Sequence, residues 1–210
     1  MTHYSFAEEI ANAVTHGLAA LLSVAGLAIM VGFAVAQEAG ALTITSVSIF
    51  GASMFILYTA STIYHAVTHE RVKRILRIID HASIFLLIAG SYTPFCLVTL
   101  RDFGGIWLCI AVWSIAIFGM VFQYKLIHSA KWISVGLYLL MGWLVVFMLD
   151  DLVASLASGG LYLLIAGGLA YTVGVLFYVK KSLPFSHAIW HLFVLAGTVL
   201  QFLAVLLYVI

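Results

Sequence analysis

Charge is what this sequence has least of. Of its 210 residues only 8% are Asp, Glu, Lys or Arg, while 65% are apolar or aromatic. A soluble domain carries about 25% charged and about 45–50% apolar residues. The shortage of charge excludes a soluble enzyme, and the apolar content excludes a disordered chain. A basic excess is also missing. The formal net charge is +1, which excludes a nucleic-acid binder that works by neutralising phosphates. Cysteine is nearly absent. Cys96 and Cys109 lie inside apolar runs and read as small buried residues, not as a disulfide framework. No cleavable secretion signal is expected, because Met1 to Glu9 contain no Lys or Arg to form its charged leading segment. No linker, low-complexity tail or soluble domain interrupts the pattern.

What is present is a series of apolar stretches. Seven stand out, roughly over 14–36, 42–66, 81–99, 106–123, 132–149, 160–179 and 187–209. Each is close to the ~20 residues that a helix needs to cross a bilayer. The expected fold is therefore an all-α integral membrane protein, a seven-helix transmembrane bundle filling residues 1–210 as one domain. Seven spans do not divide into two equal inverted halves, so the common transporter plan does not fit simply.

All nine Lys and Arg residues fall at span ends or between spans. With seven spans, Arg71, Lys73, Arg74, Arg77, Lys125, Lys131, Lys180 and Lys181 share one side with the N-terminus, and Arg101 alone lies on the other. The positive-inside rule then puts the N-terminus in the cytoplasm and the C-terminus outside. A bacterial inner membrane is the location that fits.

Ionisable groups inside a membrane are costly, so each is a candidate for function. Of eight histidines, His3, His69 and His128 fall in loops or the tail and read as solvated. The other five, His16, His65, His81, His187 and His191, all come at the cytoplasmic ends of their spans. That topology was set by Lys and Arg alone, so the shared depth is independent of it. His187 and His191 form H-x-x-x-H, which places both rings on one helix face, one turn apart. Such a pair is either half of a metal site or a packing and hydrogen-bonding pair. Ser61 and His65 form S-x-x-x-H near the end of the second span, with Tyr58 on the same stripe. His65 can supply a third nitrogen. Three histidines leave one tetrahedral position open, the arrangement of a catalytic zinc.

Asp80 stands at the start of the third span. It is either a helix N-cap beside Arg77 or Arg74, or a carboxylate that hydrogen-bonds a metal-bound water and accepts its proton. Its neighbour His81 points about 100° away, so Asp80 is expected to face inward and His81 not to share the metal. Glu9, Asn12 and His16 fall on one face at i, i+3 and i+7. They form either an interfacial amphipathic turn, or a second shell or lid for the same site. Thr198 and Gln201 continue the stripe of His187 and His191, so the interior stays polar above the site. Pro94 reads as a kink near the outer end of the third span.

Together, Ser61-x-x-x-His65, Asp80 and His187-x-x-x-His191 resemble the motif pattern of the progestin and adipoQ receptor (PAQR) family, above all its bacterial hemolysin III-like branch. Glu9-x-x-Asn12-x-x-x-His16 is similar to that family's N-terminal motif, and the resemblance covers nearly the whole chain. It implies a seven-helix bundle with zinc near the cytoplasmic face. His65, His187 and His191 match the zinc ligands, Asp80 the carboxylate that reaches the metal through water, and Ser61 the serine beside it. The wider superfamily includes alkaline ceramidases, and its bacterial members are linked to membrane lipid homeostasis. The long extramembrane N-terminal region of the animal receptors has no counterpart, so hormone binding is not implied.

Two functions fit these residues. One is a zinc-dependent hydrolase of a lipid amide or ester, with Asp80 moving the proton, Ser61 bonding Asp80 or the developing oxyanion, and membrane lipids as the partners. The other is a non-catalytic sensor or regulator of membrane fluidity in which zinc clamps two spans. A cytolysin or pore is not supported, because no ring of charge lines a channel. A retinal pigment is excluded, because the last span has no lysine for a Schiff base.

Overall fold

Ser5 starts the first helix with a capping box. Its hydroxyl accepts from the Glu8 N–H at 3.3 Å, and the Glu8 carboxylate accepts from the Ser5 N–H at 2.8 Å, so two of the orphan donors of a helix start are satisfied reciprocally. From there the computed structural model describes residues 4–129, 131–180 and 182–210. His3 and Lys181 lie outside the described residues, as do the side chains of His128 and Lys131. The helices are α1 (Phe6–Ala36), α2 (Ala41–Ala66), α3 (Glu70–Pro94), α4 (Gly105–Ser129), α5 (Lys131–Trp143), α6 (Leu149–Ser155), α7 (Ser158–Val179) and α8 (Ser186–Tyr208). No strand occurs among the described residues.

Among the described residues, seven helical segments are long and apolar enough to cross a membrane. The protein is a multi-pass, all-helical membrane protein. The fifth crossing is compound: α5, a 3₁₀ turn over Leu144–Met148, and α6. Broken backbone at membrane depth needs partners inside the protein. Tyr92 provides them, since its hydroxyl donates to Gly142 O at 2.9 Å and accepts from the Val145 N–H at 3.0 Å.

Helix ends differ from the apolar runs in an instructive way. The basic stretch after His69, expected to separate two spans, is the first part of α3. Arg, Lys and Ile are adequate helix formers, and the basic side chains can reach the interface from a helix as well as from a loop. Asp80 is therefore not a helix cap: it sits well inside α3, and its ion pair is with His81 rather than with Arg74 or Arg77. Pro94 does mark a change, because α3 passes there into a π-helical turn over Phe95–Thr99.

α1 packs on α2 and α8, α2 on α3, α3 on α4, and α7 on α8, while α5 touches α7 only sparsely. Small residues set the close approaches. A Cβ on Gly90 of α3 would collide with the Ser53 side chain of α2, and one on Gly174 of α7 would stand 2.7 Å from Phe193 Cβ of α8. Within α3, 61% of the most apolar window is buried by the protein, against 17% in the fifth crossing and 17% in α7. α3 is the interior helix. The outer faces of α5 and α7 carry exposed apolar side chains such as Leu140, Leu169 and Val173, as lipid contact requires.

Candidate metal centre

Two helices, α2 and α8, supply the histidines, and α1 braces them. His65 lies in the last turn of α2, His187 in the first turn of α8, and His191 one turn further on. All three are buried, and one ligand atom from each lies within 4.8 Å of the others. The start of α8 is held from α1. Phe185, its N-cap, adopts a left-handed backbone with φ 56°, a conformation a bulky residue seldom takes. Its N–H donates to Glu8 Oε1 at 3.0 Å. The capping carboxylate of α1 thus also fixes the turn that aims His187.

The partners of the rings decide which nitrogens face the cluster. His65 Nδ1 donates to Glu9 Oε2 at 2.6 Å, and Glu9 Oε1 is paired with Lys73 Nζ at 2.8 Å. His65 Nε2 is buried with no hydrogen-bond partner among the described residues. His191 Nδ1 donates to Asn12 O at 3.2 Å, with Thr15 Oγ1 also at 3.2 Å. In both rings the outer nitrogen carries the proton and the other keeps its lone pair. Carboxylate and carbonyl groups orient metal-binding histidines in this way. A buried imidazole nitrogen without a partner, beside two more histidines, has the donor chemistry of a zinc site. The residues therefore fit a metal ion: His65, His187 and His191 could hold it.

The polar stripe of α1 meets this cluster. Glu9 and Asn12 touch His65 (Asn12 Nδ2 is 3.4 Å from its Nδ1). His16 stacks on His191 with ring centres 3.5 Å apart and lies edge-on to Tyr58 at 4.9 Å. Neither nitrogen of His16 has a hydrogen-bond partner among the described residues. Sequence reasoning missed three contributors. Tyr4 stacks on His187 at 5.0 Å, Thr15 backs His191, and Lys73 closes the chain to Glu9. Thr15 follows Asn12 by three residues on α1, a spacing that could have revealed it. Tyr4 precedes α1, where helical spacing gives no signal.

A cavity of about 110 Å³ opens beside the cluster and runs between α3, α5, α7 and α8. His16, Ser61, Asp80, His187 and His191 line it at one end. Further along its walls are mainly apolar, among them Leu87, Ile88, Val175 and Val194. Asp80 is buried, with Oδ2 3.2 Å from His81 Nδ1. His81 lines the same cavity as Asp80, although it is not one of the three clustered histidines. α3 is enclosed on most sides, so two residues 100° apart can both reach one space. His81 is tied instead to Tyr178, whose hydroxyl is 3.3 Å from its Nε2, and to Tyr138, whose hydroxyl donates to its carbonyl at 2.9 Å. Ser61 Oγ is buried without a partner, so it makes no bond to Asp80.

Comparison with known proteins agrees with the motifs. The Haemolysin-III related family model matches residues 4–202. The chain is 46% identical to the Hemolysin-3 homolog of Bacillus subtilis over 205 residues, covering 98% of this chain and 96% of that protein. It is 43% identical to Hemolysin-3 of Bacillus cereus, covering 97% and 92%. The human Monocyte to macrophage differentiation factor is 30% identical over 171 residues, 75% of this chain and 67% of that protein. The chain belongs to the Haemolysin-III related family.

Proposed function

Taking that family as the premise, we propose that the protein is a zinc-dependent hydrolase acting on the amide or ester bond of a membrane lipid, in the service of lipid homeostasis. The observation that carries the reading is the buried, partnerless His65 Nε2 converging with His187 and His191 at the head of an apolar cavity. Zinc, when bound, supplies Lewis-acid polarisation of an acyl carbonyl and an acidified water. Asp80 lines the same end of the cavity and takes the proton from the attacking water, then returns it to the leaving group. Ser61 Oγ, with no other partner, donates to the developing oxyanion. The apolar walls hold the acyl chain and exclude water. Eight of the nine basic residues share one side by span order, which supports a cytoplasmic histidine end in a bacterial inner membrane.

A second reading has one observation in its favour. α2 and α8 meet deeper in the bundle through the Tyr58–Thr198 hydrogen bond, and a metal held by His65, His187 and His191 would join them a second time at the histidine end, as a structural clamp in a sensor of membrane state. Metal content and turnover separate the two. We expect about one zinc per chain in detergent-purified protein and release of fatty acid from ceramide or ester-lipid vesicles. Zinc without turnover on any lipid amide or ester would favour the clamp. A well-folded chain that takes up no zinc would remove both.

A further inference from the structure

The cavity has a polar far end that hydrolysis at the histidine end does not use. Along α8 the inward face continues from His191 through Val194 and Thr198 to Gln201, and the rise of a helix puts Gln201 about 15 Å from His191. Thr198 Oγ1 accepts from Tyr58 at 2.8 Å, lies 2.8 Å from the Tyr171 hydroxyl, and donates to Val194 O at 2.9 Å. This frame is satisfied. Gln201 is not: it lines the cavity, is only 9% exposed, and its Oε1 is buried with no partner among the described residues. An unpartnered amide oxygen at membrane depth is costly, and the Gln201 stem runs close beside Gly167 of α7, where an added Cβ would stand 3.1 Å from its Cγ.

We propose that Gln201 recognises a hydroxyl carried along the chain of a lipid whose head group lies at the histidine end. A hydroxyl both donates and accepts, as an amide does. Among the described residues no Lys or Arg lines the cavity, so an anionic group is disfavoured there. The proposal rests on the reading of the cavity as an acyl-chain site, and not on turnover.

The test is equilibrium binding of 12-hydroxyoctadecanoate and octadecanoate to the zinc-loaded protein in detergent. It is repeated with Gln201→Met, which keeps the length of the side chain, after zinc content and thermal midpoint show that the variant is folded. Wild type should bind the hydroxy acid about tenfold more tightly, the worth of one well-made hydrogen bond, and Gln201→Met should bind the two alike. Equal binding by wild type, or a preference that survives in Gln201→Met, would overturn the subsite. Should neither acid bind, the acyl-chain reading would fall with it.

Discussion

At the histidine end of the cavity, rings that face inward are held from behind. His65 is backed by Glu9 and then Lys73, and His191 by Asn12 and Thr15. On the far side, the fifth crossing has a broken helix held by one tyrosine hydroxyl, and it packs loosely on α7. The contrast separates two tasks. The proposed metal site needs ligands fixed to within fractions of an ångström, and α1, α2, α3 and α8, cross-linked by side chains, supply that. The proposed chain-binding cavity needs space and tolerance, and an interrupted, sparsely packed span supplies those.

The contrast would break most completely if the histidines proved dispensable. His187→Ala with His191→Ala removes two of the three nitrogens. Zinc by mass spectrometry should fall from about one per chain to none, with the helical content retained. Next in size is Asp80→Asn, which keeps the shape but removes the proton acceptor. Lipid hydrolysis should drop by about 10²–10⁴-fold while zinc stays bound. Unchanged turnover would leave Asp80 as no more than a partner of His81.

Much of this was legible in the sequence, and for identifiable reasons. Seven spans follow from hydropathy, since lipid demands long apolar helices whatever the tertiary detail. His65, His187 and His191 stood out because ionisable residues are rare in such a chain. Glu9, Asn12 and His16 stood out through helical spacing. What was not legible depends on contacts between helices. The path of α3 through the centre of the bundle makes Asp80 and His81 share one space. Tyr4 reaches His187 from outside any helix. The break after Trp143 carries no proline to announce it and depends on Tyr92 from another span.

Smaller effects sharpen the role of the backing layer. Glu9→Ala leaves all three ligands in place but frees the His65 ring. Zinc affinity, measured against a competing chelator, should weaken by about 10–100-fold. No change would show that the 2.6 Å contact orients nothing. Acid should act in the same direction through the ligands themselves. An imidazole must be neutral to bind metal, so protons compete with the ion as pH falls, and zinc affinity should drop on acidification. A flat profile would argue against histidine ligation.

The smallest effect belongs to the far side. Tyr92→Phe keeps the ring and removes the hydroxyl that both accepts from Val145 N–H and donates to Gly142 O. Two backbone groups at membrane depth then lose their partner, and the cost should be about 1–3 kcal/mol, read as a lower thermal midpoint. Zinc content should not move, because no ligand or backing residue touches Tyr92. Lipid binding should respond more than metal binding, since Tyr92, Gly142 and Trp143 all line the cavity. A variant that lost zinc as well as stability would show that the loosely packed span and the cross-linked histidine end are one mechanical unit, and the division of tasks between them would have to be abandoned.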